Sequence, residues 1–483
     1  MRLNLLLNNI DVLSYGPDLI TDEVEIDHIT DNSSEVRPGS LFIAIPGRRT
    51  DGHKYIKDAL DRGASAVIAQ RDEGHGKTVV VKDSAAAEAV ACSNLFGNPD
   101  RLLRLIGITG TNGKTTTSTL IKELLELFGK KCGLLGTVAN FIGDKEYPAA
   151  LTTPKPFELF RMMREMVDAG CEFCVMEVSS QALAQQRVYG VRFDVGVFSN
   201  ITRDHLDFHL TMEAYAEAKA QLFAQSDISV INCDDEYAEM MRASAAGMVF
   251  TYSADGSSTA DYRARNIKFR PDGITYDLEG FGKIARLRLG IPGDFTVYNS
   301  MAAAVAMTAI GFDLGDVAEK AAQLRGVKGR IEVVPTDTDY TVIIDYAHTP
   351  DGIENILRSV RKFCEKKLFV VFGAGGDRDK TKRPLMGEAA SSLADIVIVT
   401  SDNPRTEDPV AIINDILPGI KGKKPVVIPD RTQAIKYALE NASAGDIIVL
   451  CGKGHETYQI LNTGKIHYDE REIVAGLLEE MGK

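Results

Sequence analysis

The run Gly110-Thr111-Asn112-Gly113-Lys114-Thr115-Thr116 has the residue types of a phosphate-binding loop. It follows the apolar run Leu103 to Ile108 and precedes Leu120, Ile121, Leu124, Leu125 and Phe128, an apolar stripe at helical spacing. A strand, a glycine turn and a helix N-terminus in that order aim backbone N–H groups and the helix dipole at a polyphosphate. Lys114 adds a point charge for the outer phosphates, and the Thr115 hydroxyl is placed for Mg2+. The usual pattern has Gly five residues before the second glycine, where this chain has Ile108.

Other reactive residue types also follow apolar runs. Glu177 lies at the end of Phe173 to Val178, before Ser179 and Ser180, and reads either as a Mg2+ ligand or as a solvated strand-end acid. Asn200 to His209 contains Arg203, Asp204, His205, Asp207 and His209, a density suited to metal or phosphate chemistry. Thr211 is a helix cap, and the helix it opens passes Glu213 and Tyr215 to Lys219. By composition alone Lys219 is an exposed helix lysine. Cys171 and Cys174 form a lone C-x-x-C with no second pair, which suits buried thiols better than zinc.

The elements that position these groups alternate between β-like and α-like patterns. At 483 residues the chain exceeds one core, and its length suggests roughly three domains. Short β-like runs at Ser40 to Ile45, Ala66 to Ala69 and Thr78 to Val81 predict a smaller N-terminal α/β domain over residues 1–103, with an exit at Asn98-Pro99-Asp100. Residues 104–330 alternate strand and helix, predicting a central α/β domain whose mainly parallel sheet carries helices on both faces. Tyr262 to Leu289 reads as antiparallel strands. Residues 331–483 repeat the alternation at Val342 to Ile344, Leu368 to Phe372, Ile396 to Val399 and Ile447 to Leu450, a second doubly wound sheet. In such sheets ligands bind beyond the carboxyl ends of the strands.

The net charge of −13 argues against a nucleic-acid or anionic-membrane partner. No apolar stretch approaches a membrane span, and Met1 to Ile10 lacks a signal-peptide pattern. Seven scattered cysteines fit reduced thiols and a cytoplasmic protein.

Gly-Thr-Asn-Gly-Lys-Thr, Glu177-Val178-Ser179-Ser180, Asp204-His205-Leu206-Asp207, Gly329-Arg330 and Asp345-Tyr346-Ala347-His348-Thr349-Pro350-Asp351 together resemble the Mur ligase family, in family order across nearly the whole chain. The resemblance implies a UDP-binding N-terminal domain, a central ATPase domain and a C-terminal Rossmann-like domain that binds the amino acid. It implies ATP and Mg2+ as cofactors, Glu177 and His205 as metal ligands with Thr115, and carbamylation of Lys219 to make a further ligand. Asn299 would face adenine, and Arg330 and Asp345 would reach phosphate and ribose in a site completed by domain closure. The partner substrate, UDP-N-acetylmuramoyl-L-alanyl-D-glutamate, would contact Ser33 and the loop Arg48-Arg49-Thr50, then Thr152, Thr153, Ser179, Gln185 and Arg187. This sequence departs from the family pattern at Gln181, where His is frequent, and at Ser34, where Arg is usual.

Asp402-Asn403-Pro404-Arg405 resembles the loop of members that add meso-diaminopimelate. A guanidinium suits a second terminal carboxylate and repels a lysine ammonium. Arg378, Gly452 and Glu456 would frame the zwitterionic end of that amino acid. The expected reaction forms an amide at the D-glutamate γ-carboxylate through an acyl phosphate, by a monomer. L-lysine as the amino acid, and folylpolyglutamate synthesis, are the nearest alternatives. A nucleotide-driven switch and a silent binding protein are more distant ones.

Overall fold

Strands buried on both faces need near-continuous apolar runs, and those runs become the sheets of the computed structural model, which describes residues 1–47, 50–255 and 259–482. The chain divides into two units: Met1–Arg263 with Asn299–Val317, and Ala264–Tyr298 with Ala318–Lys483.

The first unit contains two sheets. In the N-terminal one, Val12–Tyr15, Thr78–Val81, Ala66–Ala69, Ser40–Ile43 and His28–Thr30 lie side by side in that order, parallel except for Val12–Tyr15. The helix Ser84–Leu95 from this region packs against Pro156–Asp168. One apolar core runs from Leu3 and Ile43 through Met163 to Phe198 and Phe223.

The second sheet is built on Arg104–Thr109. On one side lie Phe173–Glu177 and Cys132–Leu135, and on the other Phe193–Phe198, Ser226–Asn232 and Met248–Ser253, all parallel. The hairpin Ala139–Ile142 and Lys145–Pro148 closes one edge. Strands that follow Arg104–Thr109 in sequence depart to both of its sides, so its carboxyl end is a topological switch point. Register sets Glu177 opposite Ile108 and Phe198 opposite Thr109, which brings three motif-bearing strand ends level.

In the second unit Gly273–Gly280 and Lys283–Leu289 form an antiparallel pair. Its main sheet has Thr341–Asp345, Ile447–Cys451, Leu368–Phe372, Ile396–Val399 and Val426–Val427 parallel, with Glu332–Val334 antiparallel at one edge. Separate apolar layers cover its two faces, one around Ile353, Leu357 and Met386, the other around Ile435, Leu439 and Val474. No described helix is long and apolar enough to cross a membrane.

Candidate functional site

At the switch point the strand gives way to Gly110–Gly113, and the helix Lys114–Leu127 begins. Its N-cap, Gly113, has no side chain to occupy the first-turn N–H groups, which leaves them for an anion. The position demands glycine: φ is +85°, and a Cβ would collide with the Asn299 side-chain oxygen. The loop is held from the neighbouring strand end. Thr111 N–H donates to the Asn200 carbonyl at 2.7 Å, Asn112 N–H to Asn200 Oδ1 at 3.0 Å, and Ser199 Oγ to the Asn112 carbonyl at 2.6 Å. Lys114 Nζ donates to the carbonyls of Gly110 and Thr111 at 2.8 and 2.9 Å.

Lys219 donates to the same Gly110 carbonyl at 2.8 Å and is only 1% exposed. The expectation of a solvent-facing helix lysine is therefore corrected: the helix Met212–Ala224, capped by Thr211, turns Lys219 inward under the loop. Tyr215, one turn earlier, lies 4.4 Å from its ammonium and reaches Thr111 Oγ1 at 3.0 Å. Burial, reinforced by the charge of Lys114, holds the Lys219 amine well below the usual lysine range. His205 has a left-handed backbone (φ 52°), with its Nε2 3.6 Å from Asp204 Oδ2 and its ring 6.1 Å from that of Tyr215. His209 is buried and bonded to Ser180 Oγ at 2.9 Å.

Glu177 is buried at the adjacent strand end, which removes its reading as a solvated acid. Thr137, which sequence reasoning missed, donates to it twice, from N–H and from Oγ1, each at 2.9 Å. The available signal was its place just beyond the strand Cys132–Leu135 in the same sheet. Thr137 Oγ1 also meets Thr152 Oγ1 at 3.1 Å. Thr153 Oγ1 donates to the Glu177 carbonyl at 2.8 Å and accepts from Ser179 N–H at 3.0 Å. Arg187 donates to the Thr153 carbonyl at 2.8 Å and twice to Gln185. Thr152, Thr153, Ser179, Gln185 and Arg187 thus form one network around Glu177.

A Mg2+ ion keeps water and phosphate oxygens in its shell, so it needs few protein ligands. The hydroxyl of Thr115 and the held carboxylate of Glu177 suit it chemically. An ammonium at Lys219 does not, and suits a cation only once its nitrogen carries a carboxylate. Among the described residues no group of three or more His, Cys, Asp or Glu is assembled for a metal. Asn299 lies beside the phosphate loop, 3.4 Å from Thr117 Oγ1. In the N-terminal region Ser33 begins a short 3-10 turn capped by Asn32, and Thr50 Oγ1 meets Tyr55 OH at 3.2 Å. Arg48 and Arg49 lie outside the described residues. Cys171 and Cys174 are both buried.

In the second unit Asp345 accepts from Ile331 N–H and Ala347 N–H, both at 2.8 Å, which ties Arg330 to the strand end. The Arg330 guanidinium stacks 5.1 Å from the Tyr346 ring. Beyond Ile396–Val399, Asp402 and Asn403 are buried. Asn403 donates to Glu456 at 2.9 Å. Lys453, a second residue missed from sequence, sits fully buried 3.2 Å from both Asn403 Oδ1 and Glu456 Oε2. Nothing in a Gly-Lys-Gly-His run marks a lysine as buried, so sequence offered no signal for it. Gly452, at φ +117°, leaves room for Asp402 Oδ2, a buried oxygen with no hydrogen-bond partner among the described residues. Arg405 is left-handed (φ 53°), its N–H bonded to the Ile460 carbonyl and its Nη1 to the Gly376 carbonyl at 2.7 Å. Arg378 is exposed beside Gly375. The structure therefore brings Asp402, Asn403, Pro404, Arg405, Gly452 and Glu456 into one locality.

Comparison with known proteins places the chain in a family. Residues 25–95 match the Mur ligase family catalytic domain, 108–307 the Mur ligase middle domain, and 329–454 the Mur ligase glutamate ligase domain. The chain is 43% identical over 489 residues to UDP-N-acetylmuramoyl-L-alanyl-D-glutamate--2,6-diaminopimelate ligase of Clostridium botulinum, covering 100% of each. It is 47% identical over 466 residues to the protein of that name from Caldanaerobacter subterraneus, covering 95% of this chain and 96% of that one. A solved structure of a ligase with this name superposes with a TM-score of 0.75 at 35% identity, covering 96% and 97% of the two chains. Mycobacterium tuberculosis folylpolyglutamate synthase shares the fold at 19% identity, with a TM-score of 0.60 over 76% of this chain and 92% of that one. The chain belongs to the Mur ligase family of ATP-dependent ligases.

Proposed function

We propose that the protein joins meso-2,6-diaminopimelate to the D-glutamate γ-carboxylate of UDP-N-acetylmuramoyl-L-alanyl-D-glutamate, with ATP converted to ADP and phosphate. The observation that carries the choice of amino acid is the geometry at Arg405. One guanidinium nitrogen is anchored on a backbone carbonyl, so the remaining donors of a planar fork are oriented for a carboxylate. Asp402, with its unpartnered buried oxygen, and Glu456 suit the ammonium of the same molecule. Arg378 and Gly452 complete this group.

A carboxylate is a poor electrophile because its leaving group would be oxide. Transfer of the γ-phosphoryl to a carboxylate oxygen makes an acyl phosphate. The amine of the amino acid then attacks the carbonyl carbon, an N–C bond forms, and the C–O bond to phosphate breaks as the amine loses a proton. Gly110 to Thr116 would hold the triphosphate, with Lys114 leaving its two loop carbonyls for phosphate oxygens. Asn299, Arg330 and Asp345 would serve the nucleotide. Thr152, Thr153, Ser179, Gln185 and Arg187 would orient the muramoyl dipeptide, with Ser33, Arg48, Arg49 and Thr50 at its uridine diphosphate.

Mg2+, when bound, supplies neutralisation of phosphate charge; Thr115 and Glu177 would hold one ion, and His205 and carbamylated Lys219 another. A neutral amine is what carbamylation requires: its lone pair bonds to the carbon of CO2, a proton leaves, and the nitrogen bears a carboxylate. The depressed basicity of Lys219 supports this assignment. A cytoplasmic monomer, with three domains over residues 1–103, 104–330 and 331–483, belongs to the same reading.

The test measures ADP release while each component is omitted in turn. Release should require the muramoyl dipeptide and meso-diaminopimelate together. Release without the dipeptide removes the ligase reading, and equal turnover with L-lysine removes the Arg405 assignment.

A further inference from the structure

Arg383 and Glu407 belong to no ligand group described above, yet they are joined by a two-pronged ion pair. Arg383 lies in the first turn of the helix Lys382–Leu393, and its side chain is 1% exposed. A cation there opposes the helix dipole, and burying it costs solvation, so neither helix formation nor packing accounts for it. Its contacts do. Nη1 donates to Glu407 Oε2 at 3.0 Å and to Asp415 Oδ2 at 2.8 Å; Nη2 donates to Glu407 Oε1 at 2.8 Å and reaches the Gly375 carbonyl at 3.4 Å.

Glu407 in turn bridges two loops. Its Oε1 accepts from Asp377 N–H at 2.6 Å, and Lys380 Nζ lies 3.1 Å from Oε2. Asp377 accepts from Thr406 Oγ1 at 2.6 Å and from Thr406 N–H at 3.3 Å. One loop carries Arg378 and the other Arg405. Asp377 and Arg405 are both left-handed, at φ 54° and 53°, a conformation that non-glycine residues hold only where neighbours enforce it. The hydrogen bonds from Arg383 and then from Asp377 N–H, with a smaller one from Lys380, hold the Glu407 carboxyl down at about 2, so the clamp stays ionised at neutral pH.

We infer that Arg383 and Glu407 are positioning residues for amino-acid selection: the buried fork of Arg383 on Glu407 locks the two arginine-bearing loops at the spacing that a second carboxylate requires. The inference rests on the proposed reading of Arg405. A guanidinium distinguishes one carboxylate more or less only when its fork is fixed, because a mobile arginine pairs with whatever anion is near.

Steady-state kinetics of Glu407→Gln test this, since the amide sets an N–H group against the guanidinium. The KM for meso-diaminopimelate should rise about tenfold or more, in the range found when supports of a binding group are removed, while the KM values for ATP and muramoyl dipeptide stay unchanged. Preference for meso-diaminopimelate over L-lysine should fall in parallel. The double variant Arg383→Met/Glu407→Gln leaves no buried charge unpaired. It should regain thermal stability but keep the raised KM, and it provides the reading if Glu407→Gln fails to fold. Glu407→Asp, which retains the charge, should lie between wild type and Glu407→Gln. A folded Glu407→Gln protein with wild-type KM and preference overturns the inference, as does a double variant that restores KM along with stability. Wild-type protein that uses L-lysine equally well would instead sink the amino-acid assignment itself.

Discussion

The phosphate loop and the Arg405 loop treat their cations in opposite ways. Under the phosphate loop two lysines converge on one carbonyl, Gly110, and burial with mutual repulsion disfavours the charge on Lys219. Around the Arg405 loop the buried cations meet carboxylates: Arg383 has Glu407 and Asp415, Lys453 has Glu456, and Arg431 has Glu470. The first arrangement suits a ligand that brings several negative charges and leaves as a smaller one. The second suits recognition of a small zwitterion, where the shape of the charge pattern must exist before the ligand arrives. A polyphosphate can reorganise its site; an amino acid that differs from a competitor by one carboxylate cannot.

The largest effects should come from breaking the lysine pair. Lys219→Ala should lower kcat at least a thousandfold, on the order of losses seen when a principal electrostatic group is removed, and bicarbonate should not restore it. Full activity would end the carbamate proposal. Lys114→Ala should be comparably severe with ATP as the varied substrate.

Next in size, Arg405→Lys retains charge but loses the fork. It should cost about 1–3 kcal/mol in kcat/KM for meso-diaminopimelate while leaving ATP binding intact, as read by ADP affinity in calorimetry. Equal losses for both ligands would dissolve the contrast between the two regions.

The smallest effect concerns stability. Glu88, buried in the helix Ser84–Leu95, has its carboxyl pushed up to about 8, chiefly by burial and then by Asp31, with Lys155 and Arg187 opposing. The folded state therefore keeps the proton while the unfolded chain releases it, and stability declines as pH rises from about 4.5 towards 8. The loss should be at most about 1.4 kcal/mol per pH unit in that window. Glu88→Gln removes this dependence, so the gap in melting temperature between the variant and wild type should widen from pH 5 to pH 8. A constant gap would contradict the buried neutral carboxyl.

How much could be read from sequence follows from which physics is local. Leu368–Phe372 and Phe173–Glu177 were legible because buried parallel strands require unbroken apolar runs, and the glycine loop because its turn and helix start are contiguous. Lys219 was not legible by composition, since its burial depends on a carbonyl 109 positions away. Thr137 and Lys453 act through partners 40 and 50 positions distant. Nothing local in the sequence marks Arg383, because both of its carboxylates come from another loop and another helix. The motif order supplied through resemblance what pattern alone could not, except where a residue supports a motif without belonging to it.

The most direct measurement follows one oxygen atom. Muramoyl dipeptide labelled with heavy oxygen in the D-glutamate γ-carboxylate would be turned over with ATP and meso-diaminopimelate, and the released phosphate analysed by mass spectrometry. Activation through an acyl phosphate predicts one labelled oxygen in each phosphate, carried over from the carboxylate. Phosphate released without label, while the amide still forms, would contradict the account.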